Sequence, residues 1–434
     1  MSRLQKAREL VKHRLVKNTA ALFIVQLSTN AAPLIVLPYL SRVLSTDHFG
    51  IIAFAWAFNW YFMTLVEYGF NLTATRRVAI YSDDPEKVSR IFSSVMSAKA
   101  LLTVLGFALM ITIVLATPKL RPNLVLFCIS YLLVIGDLLF PLWLFQGLQK
   151  MENLVWRDLS AKLLSLCLIF AFVHKDKDYL WAAVFQSGSM VVAGVVGLCT
   201  VPFVTRVHWV KPSMREAVIA LREGWPVFLS MAALYFSSAS NTFILGLRGG
   251  PTEVAYFSAA NRLVVALRML VSPVVTAIYP HISKMAFNSR ESAIAFLQKY
   301  ALVLAAPFLL GSIVLFAGAA PIIKILYSAK YIPTIPLLRI MAFGPFLATL
   351  QHTYSTFYML AFGYEKEYSR VIFQSTLLNF VILVPLIYLI WPPAAVSVTG
   401  LILDIFVATA TYLFYRKSTA AILNTVAPVS QTWV

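Results

Sequence analysis

Long apolar stretches recur through the whole of this 434-residue chain, and only short polar connections separate them. Sixty percent of the residues are hydrophobic, 12% are charged, and the mean hydropathy is +0.78. A helix needs about 20 mostly apolar residues to cross the hydrocarbon core of a bilayer. The sequence predicts about twelve such spans, at residues 18–41, 49–73, 91–116, 122–147, 154–174, 179–205, 224–247, 253–280, 293–317, 334–363, 369–391 and 394–415. The chain is therefore expected to act within or across a membrane.

The positive charges are unevenly distributed over the connections. The chain has 36 Lys and Arg against 18 Asp and Glu, a net charge of +18. If the amino terminus is cytoplasmic, most of the Lys and Arg outside the spans fall on the cytoplasmic side, as they do in membrane proteins generally. Both termini are therefore predicted to be cytoplasmic. The positive charge indicates topology and attraction to anionic lipid, and nucleic acid is not expected as a partner.

A charged connection in the middle of the chain separates two groups of six spans. Each half has an even number of spans, so the halves share one orientation and indicate a parallel repeat about an axis along the membrane normal. The predicted fold is an all-α polytopic membrane protein with two six-helix lobes around a central cavity. The predicted parts are a cytoplasmic basic amphipathic segment 1–17, an N-lobe 18–205, a cytoplasmic linker 206–223, a C-lobe 224–415 and a cytoplasmic tail 416–434.

The eighth predicted span carries the most informative polar residues. Ser258, Asn261 and Arg268 recur at helical spacing on one face, and Arg262 borders that face. An Arg at the centre of a bilayer costs about 2.5–3.5 kcal/mol on insertion scales, so two of them favour a hydrated cavity. A guanidinium group is suited to bidentate phosphate recognition. The alternative is that each Arg pairs with a carboxylate of a neighbouring helix and fixes packing.

Other spans contribute further polar residues. Asn30 in the first span and Asn241 in the seventh lie on polar faces, as expected of cavity walls, although such residues also bond across helices for packing alone.

Acidic residues inside spans are few, and the best candidates for a functional role are Glu67, Asp137 and Asp404. Each could pair with a cation, bind a coupling ion or carry a proton. Lys99 is expected to extend its side chain to the cytoplasmic surface.

Signatures of enzymes are missing from the sequence. There is no G-x-x-x-x-G-K-[ST] nucleotide loop, no paired Cys/His spacing for a metal and no nucleophile elbow. The chain is therefore not expected to be an enzyme or to hold a cofactor or metal. A coupling ion, H⁺ or Na⁺, is compatible with the sequence.

Four stretches resemble one known family. They are LSRVLSTDHFGIIAFAWAF at 40–58, EYGFNLTATRRVAI at 67–80, PLWLFQGLQKM at 141–151 and ANRLVVALRMLVSPVVTAIYP at 260–280. Together they resemble the Wzx-type O-antigen flippases, in the polysaccharide-transport branch of the multidrug/oligosaccharidyl-lipid/polysaccharide (MOP) exporter superfamily. The similarity in span number and spacing covers roughly residues 15–415. Ser45–His48 departs from the Gly-led acidic turn of many relatives.

This resemblance implies a function. Such a flippase moves an undecaprenyl-pyrophosphate-linked oligosaccharide, the repeat unit of a surface polysaccharide, from the cytoplasmic to the periplasmic leaflet of a bacterial inner membrane by alternating access. Membrane lipid and other glycan-assembly proteins are the further partners that it implies. The helical faces suggest that Arg262 and Arg268 contact the pyrophosphate or an anionic sugar. The residues expected to hydrogen-bond the sugar are Asn261, Ser258, Asn30 and Asn241.

Two other functions remain as alternatives. A cation-coupled multidrug or small-solute antiporter of the same superfamily would need a cavity rich in carboxylates and aromatic rings, whereas the predicted cavity is basic. An integral-membrane glycan polymerase would need a large extracytoplasmic loop, which the sequence does not contain.

Overall fold

The structure is a computed structural model that describes residues 35–150 and 152–426. The predicted amphipathic segment 1–17, most of the first span and the last residues of the tail lie outside the described residues. Within the described ranges the chain is helical and contains no β-strand. The chain divides into two compact units, Met1–Leu247 and Arg248–Val434.

Within the residues that the structure describes, the first unit contains ten α-helices, the last of which ends one residue past its boundary. They are α1 (35–43), α2 (Thr46–Glu67), α3 (Phe70–Ile80), α4 (Pro85–Ala116), α5 (Leu124–Ser130), α6 (Leu132–Leu139), α7 (Leu142–Gly147), α8 (Glu152–Phe172), α9 (Tyr179–Val204) and α10 (Met214–Arg248). A core cluster of this unit includes Trp143 of α7, which is completely buried and packs with residues of α3 and α4.

The described part of the second unit, which ends at residue 426, contains eight α-helices and one π-helical segment. They are α11 (Pro251–Met269), α12 (Val271–Asn288), α13 (Arg290–Ala317), α14 (Ala319–Leu326), α15 (Thr334–Met341), α16 (Gly344–Tyr354), the π-helix Ser355–Leu360, α17 (Glu365–Leu389) and α18 (Pro392–Val426). The eight-residue α14 is too short to cross a bilayer.

Nine helical segments within the described ranges are long and apolar enough to cross a membrane. They are Thr46–Ile80, Pro85–Ala116, Arg121–Gly147, Asp176–Val204, Pro251–Val275, Arg290–Ala317, Thr334–Leu360, Glu365–Leu389 and Pro392–Ala420. The fifth and seventh predicted spans correspond to α8 and α10, while the first lies mostly outside the described residues. The prediction of an all-α polytopic membrane protein is confirmed.

The second predicted span is two helices rather than one. The backbone enters the left-handed region at Tyr68, with φ of 47°, and again at Gly69, with φ of 76°. Glycine adopts this conformation without steric cost, and α2 ends there. A Cβ atom at Gly69 would lie 2.6 Å from Cγ1 of Val227 on α10. The break thus combines an unusual backbone conformation with close packing that periodicity alone does not reveal.

Helix α10, the seventh predicted span, packs within the first unit. Phe243 stacks on Phe54 and on Phe58 of α2, with ring centroids 5.7 Å apart in both pairs. Gly246 of α10 lies directly against the ring of Phe54. The division by packing therefore falls after the predicted linker 206–223. The predicted lobes 18–205 and 224–415 rest on an internal repeat of spans, whereas this division rests on packing contacts. The lobe boundaries therefore stay a prediction.

Candidate functional site

A charged group joins three helices of the second unit. Arg268, in the last turn of α11, donates through Nη2 to Oδ2 of Asp404 on α18. Gln351 of α16 donates from Nε2 to the backbone oxygen of Asp404 at 2.9 Å and to its Oδ1 at 3.4 Å. The side chains of Arg268 and Asp404 are 35% and 15% exposed. Arg268 therefore pairs with a carboxylate of a neighbouring helix, which is the alternative to a free cation in a hydrated cavity.

The pair does not use the whole guanidinium group. A guanidinium has five N–H donors. The Nε atom of Arg268 is buried and has no hydrogen-bond partner among the described residues. The backbone at Gly344 of α16 approaches Nη2 so closely that a Cβ there would collide with it. Arg268 is thus held in place by Asp404 and α16, and its buried Nε donor is left without an acceptor in the described part of the chain.

Arg262 has different surroundings from Arg268. It is half-buried on α11 and makes neither a hydrogen bond nor an ion pair with any residue that the structure describes. Its electrostatic neighbour is Tyr327, whose hydroxyl donates to the backbone oxygen of Ala259 at 3.2 Å. Arg262 is consequently a cation inside a predicted span with no described carboxylate to neutralise it.

The predicted sugar-binding residues fall in different parts of the chain. Ser258 and Asn261 are half-buried on α11, the helix that carries both Arg residues. Asn241 belongs to α10 in the first unit, and its Oδ1 is buried without a hydrogen-bond partner in the described ranges. Asn30 lies outside the described residues. Contact of these residues with a substrate stays a prediction.

The first unit has its own buried charge pair. Lys99 of α4 donates from Nζ to Oδ2 of Asp137 at 3.1 Å and to the backbone oxygen of Asp137 at 2.9 Å. The Lys99 side chain is only 3% exposed. The expectation that Lys99 extends to the membrane surface is therefore wrong, because Asp137 on α6 neutralises its charge inside the helix bundle.

Glu67 adds a second carboxylate to this pair. Its Oε1 accepts a hydrogen bond from Nδ2 of Asn71 at 2.7 Å, across the break between α2 and α3. Glu67 also lies within electrostatic range of Asp137 and Lys99. Two of the three candidate coupling residues thus form one cluster around a single Lys, whereas Asp404 belongs to the second unit.

Helices α3 and α7, both from stretches that carry the family resemblance, pack directly on each other. Thr75 of α3 donates from Oγ1 to the backbone oxygen of Trp143 at 3.1 Å. A Cβ atom at Gly147 would lie 2.7 Å from Cβ of Val78. Sequence reasoning missed this contact. The signal that could have indicated it is a Thr on one helix and a Gly on the other, since small residues allow helices in membranes to approach closely.

The apolar helices and the ion pairs among them define a polytopic membrane protein. Its fold is similar to that of the lipid II flippase MurJ in an inward closed conformation, with a TM-score of 0.70 and 12% identity over 92% of this chain and 87% of MurJ. It is also similar to an outward-facing multidrug resistance MATE family transporter of the MOP superfamily, with a TM-score of 0.52 and 16% identity over 95% and 96% of the two chains. At these identities the likeness concerns the fold.

Sequence comparison identifies the family. Residues 15–286 match the family described as polysaccharide biosynthesis protein. The "Putative O-antigen transporter" of Escherichia coli strain K12 is 32% identical over 410 residues, which cover 94% of this chain and 98% of that protein. The chain therefore belongs to the polysaccharide biosynthesis protein family, and the resemblance inferred from its motifs is confirmed.

Proposed function

We propose that this protein is a flippase that moves an undecaprenyl-pyrophosphate-linked oligosaccharide from the cytoplasmic to the periplasmic leaflet of a bacterial inner membrane. Family membership supports a role in polysaccharide biosynthesis, and the fold supports transport. The names of the relatives refer to O-antigen transport and to lipid II flipping. In this proposal both termini are cytoplasmic, no covalent bond is made or broken, and other glycan-assembly proteins supply and consume the cargo.

The state of the two Arg residues on α11 is the observation that carries the proposal. Arg262 has no anionic partner within the described ranges, and Nε of Arg268 has no acceptor there. A cation left unneutralised in a span is costly, by about 2.5–3.5 kcal/mol at the bilayer centre. A pyrophosphate group supplies negative charge and several acceptor oxygens in a geometry that guanidinium groups match. Cargo binding would therefore lower the cost of keeping Arg262 in the membrane.

The Arg268–Asp404 pair gives the cargo a way to change helix packing. Phosphate oxygens and the Asp404 carboxylate compete for the same guanidinium donors. When the cargo draws on Arg268, Asp404 keeps only its contacts with Gln351, so the attachment of α11 to α18 weakens. A bound H⁺ or Na⁺ at Asp404, or at the Glu67–Asp137 cluster, would act in the same direction by reducing negative charge.

A cation-coupled antiporter is the second candidate. The observation in its favour is the pair of carboxylates, Glu67 and Asp137, that share one Lys in the first unit. A cationic drug would compete with Lys99 for these carboxylates. The cations of α11 argue against such cargo, because they would repel it.

The test is a gene deletion in the native bacterium, complemented with wild type or with Arg262→Gln. Wild type should restore surface glycan. Arg262→Gln should reduce glycan display at least tenfold at equal protein abundance, with lipid-linked intermediates accumulating in the cytoplasmic leaflet. Arg370→Gln, which removes an exposed cation from α17, is the matched control and should behave as wild type. Altered drug sensitivity with normal glycan would favour the antiporter. Unpolymerised intermediates in the periplasmic leaflet would favour a polymerase.

A further inference from the structure

A polar cavity of about 540 Å³ opens at one end of the first unit, within that unit alone. Three connections form it: the one between α3 and α4, the one that follows α7, and the one that follows α9. Its polar lining residues are Ser82, Asp83, Gln149, Lys150, Thr205 and Arg206. The volume is in the range of ordinary ligand sites, which is about 300–1,000 Å³.

The cavity is formed where two of the family-like stretches end. Gly147, the last residue of α7, packs against Val78 in the last turn of α3, so the segment that follows α7 begins next to the end of α3. Gln149 then adopts a φ of 56°, a left-handed conformation that few residues other than glycine take. A left-handed residue directly after the last turn of a helix is a common way for a helix to end. This turn brings the Lys150 backbone N–H to the Phe145 oxygen at 2.8 Å.

One of the two cations of the cavity, Lys150, is held at a defined position. Nζ of Lys150 donates to the backbone oxygen of Val204 at 2.6 Å, which places the ammonium group at the carboxyl end of α9. Arg206 follows two residues later in the chain, is exposed, and makes no ion pair with a residue that the structure describes. A side chain fixed before binding loses less conformational entropy when a ligand arrives.

The chemistry of the lining selects an anionic, hydrated ligand. The charged residues of the lining are two cations, Lys150 and Arg206, and one carboxylate, that of Asp83, and hydroxyl and amide groups supply the other polar atoms. Such a lining disfavours an acyl chain. Ammonium and guanidinium groups are the usual ligands of phosphate. The single carboxylate can accept hydrogen bonds from hydroxyl groups of a headgroup or sugar.

The neighbourhood of the cavity indicates the level of the lipid headgroups. Trp209, in the same connection as Arg206, is exposed and contacts Phe92 of α4 edge-on at 6.1 Å. Trp is enriched at the boundary between hydrocarbon and water. The bias of Lys and Arg predicts this boundary to be the cytoplasmic one, where anionic lipids concentrate.

From this geometry we infer that the cavity between the α3–α4, α7–α8 and α9–α10 connections binds the phosphate group of a membrane-embedded lipid headgroup. Two sources share that chemistry. One is the diphosphate of the lipid-linked cargo, held at the surface before transport, which rests on the proposed function. The other is an anionic phospholipid of the bilayer.

The test measures pyrophosphate binding to the full-length protein in phosphatidylcholine nanodiscs by calorimetry. Arg206→Gln should weaken binding about tenfold, as expected for the loss of a charge-assisted contact. Asp83→Asn should strengthen binding about threefold, because it removes the repelling carboxylate. Arg370→Gln should leave the dissociation constant unchanged. Lys150 is kept in all variants, since its bond to Val204 also caps α9.

Binding at α11 is separated from binding at the cavity by Arg262→Gln. If this variant abolishes pyrophosphate binding while Arg206→Gln and Asp83→Asn bind as wild type does, the cavity does not bind phosphate and the inference is overturned. It is equally overturned if wild type binds no pyrophosphate at all. The opposite pattern, in which only Arg206→Gln and Asp83→Asn change the dissociation constant for pyrophosphate, supports the inference.

The two sources are separated by glycan display and by lipid competition. Reduced display in cells that carry Arg206→Gln at normal abundance assigns the cavity to the cargo. Normal display, together with pyrophosphate binding that nanodiscs with 20 mol% phosphatidylglycerol suppress, assigns it to a phospholipid. Both results support a phosphate site. A deletion strain that accumulates no lipid-linked intermediate would contradict the proposed function alone, and the binding constants would still decide the role of the cavity.

Discussion

Removing Asp404 should destabilise the second unit through the charge that it leaves behind. The Asp404→Ala variant deprives Arg268 of its carboxylate and Gln351 of one acceptor. Breaking a buried pair from one side costs about 3–5 kcal/mol in soluble proteins. Because Arg268 is 35% exposed and the pair is therefore not fully buried, a value near the lower end, about 3 kcal/mol, is expected. Asp404→Asn keeps hydrogen bonding and should cost less.

A double-mutant cycle isolates the interaction. Arg268→Ala combined with Asp404→Ala removes both charges, so the double variant should be more stable than the sum of the single changes predicts. The coupling energy should be about 2 kcal/mol, within the range of 0.5–3 kcal/mol for residues in one charged network. The assay is equilibrium unfolding of purified protein in mixed micelles of dodecylmaltoside and sodium dodecyl sulfate. If the changes in unfolding free energy of the two single variants simply add up to that of the double variant, Arg268 and Asp404 do not stabilise the protein through their contact.

The same variants test whether Arg268 also acts on cargo. Arg268→Ala alone confounds lost folding with lost transport, because it leaves the Asp404 carboxylate unpaired in the membrane. The double variant should restore abundance. Glycan display that stays low in the double variant assigns Arg268 a role in transport, whereas display that recovers with abundance assigns it a structural role.

The first unit offers three further tests. Lys99→Met should destabilise the protein by about 3 kcal/mol, and adding Asp137→Leu should recover most of that loss, as equilibrium unfolding would report. Gly69→Ala should lower the thermal midpoint because of its φ of 76° and its tight packing, whereas Gly188→Ala, with open space around its Cβ position, should not. Backbone N–H groups of the first turn of α4 hydrogen-bond Asp84 and lower the pKa of its carboxyl, so its contribution to stability is present above its ordinary pKa of 3.8 and is lost as the pH falls through the lower folded value. As the pH is lowered, the free energy of unfolding of Asp84→Asn should therefore fall less steeply than that of wild type. An identical pH dependence of the two proteins would contradict this role of Asp84.

The family can be recognised from the amino-acid sequence because its signals are local. The turn within EYGFNLTATRR and the Gly within PLWLFQGLQKM are residue types at fixed spacing. Their structural meaning is not local. Gly69 ends α2 because the backbone turns left-handed there against Val227, far along the chain, and Gly147 lies against Val78. A motif can therefore identify a family while the contact that requires it stays hidden.

Hydropathy and helical periodicity are enough to establish the class of protein, the positions of most spans and the presence of Arg residues within one of them. These are properties of neighbouring residues, so a single chain reveals them. The partners of the buried charges, in contrast, follow from tertiary packing alone. Asp404 lies 136 positions from Arg268, and Asp137 lies 38 from Lys99. No spacing rule links residues so far apart, because helix packing brings them together.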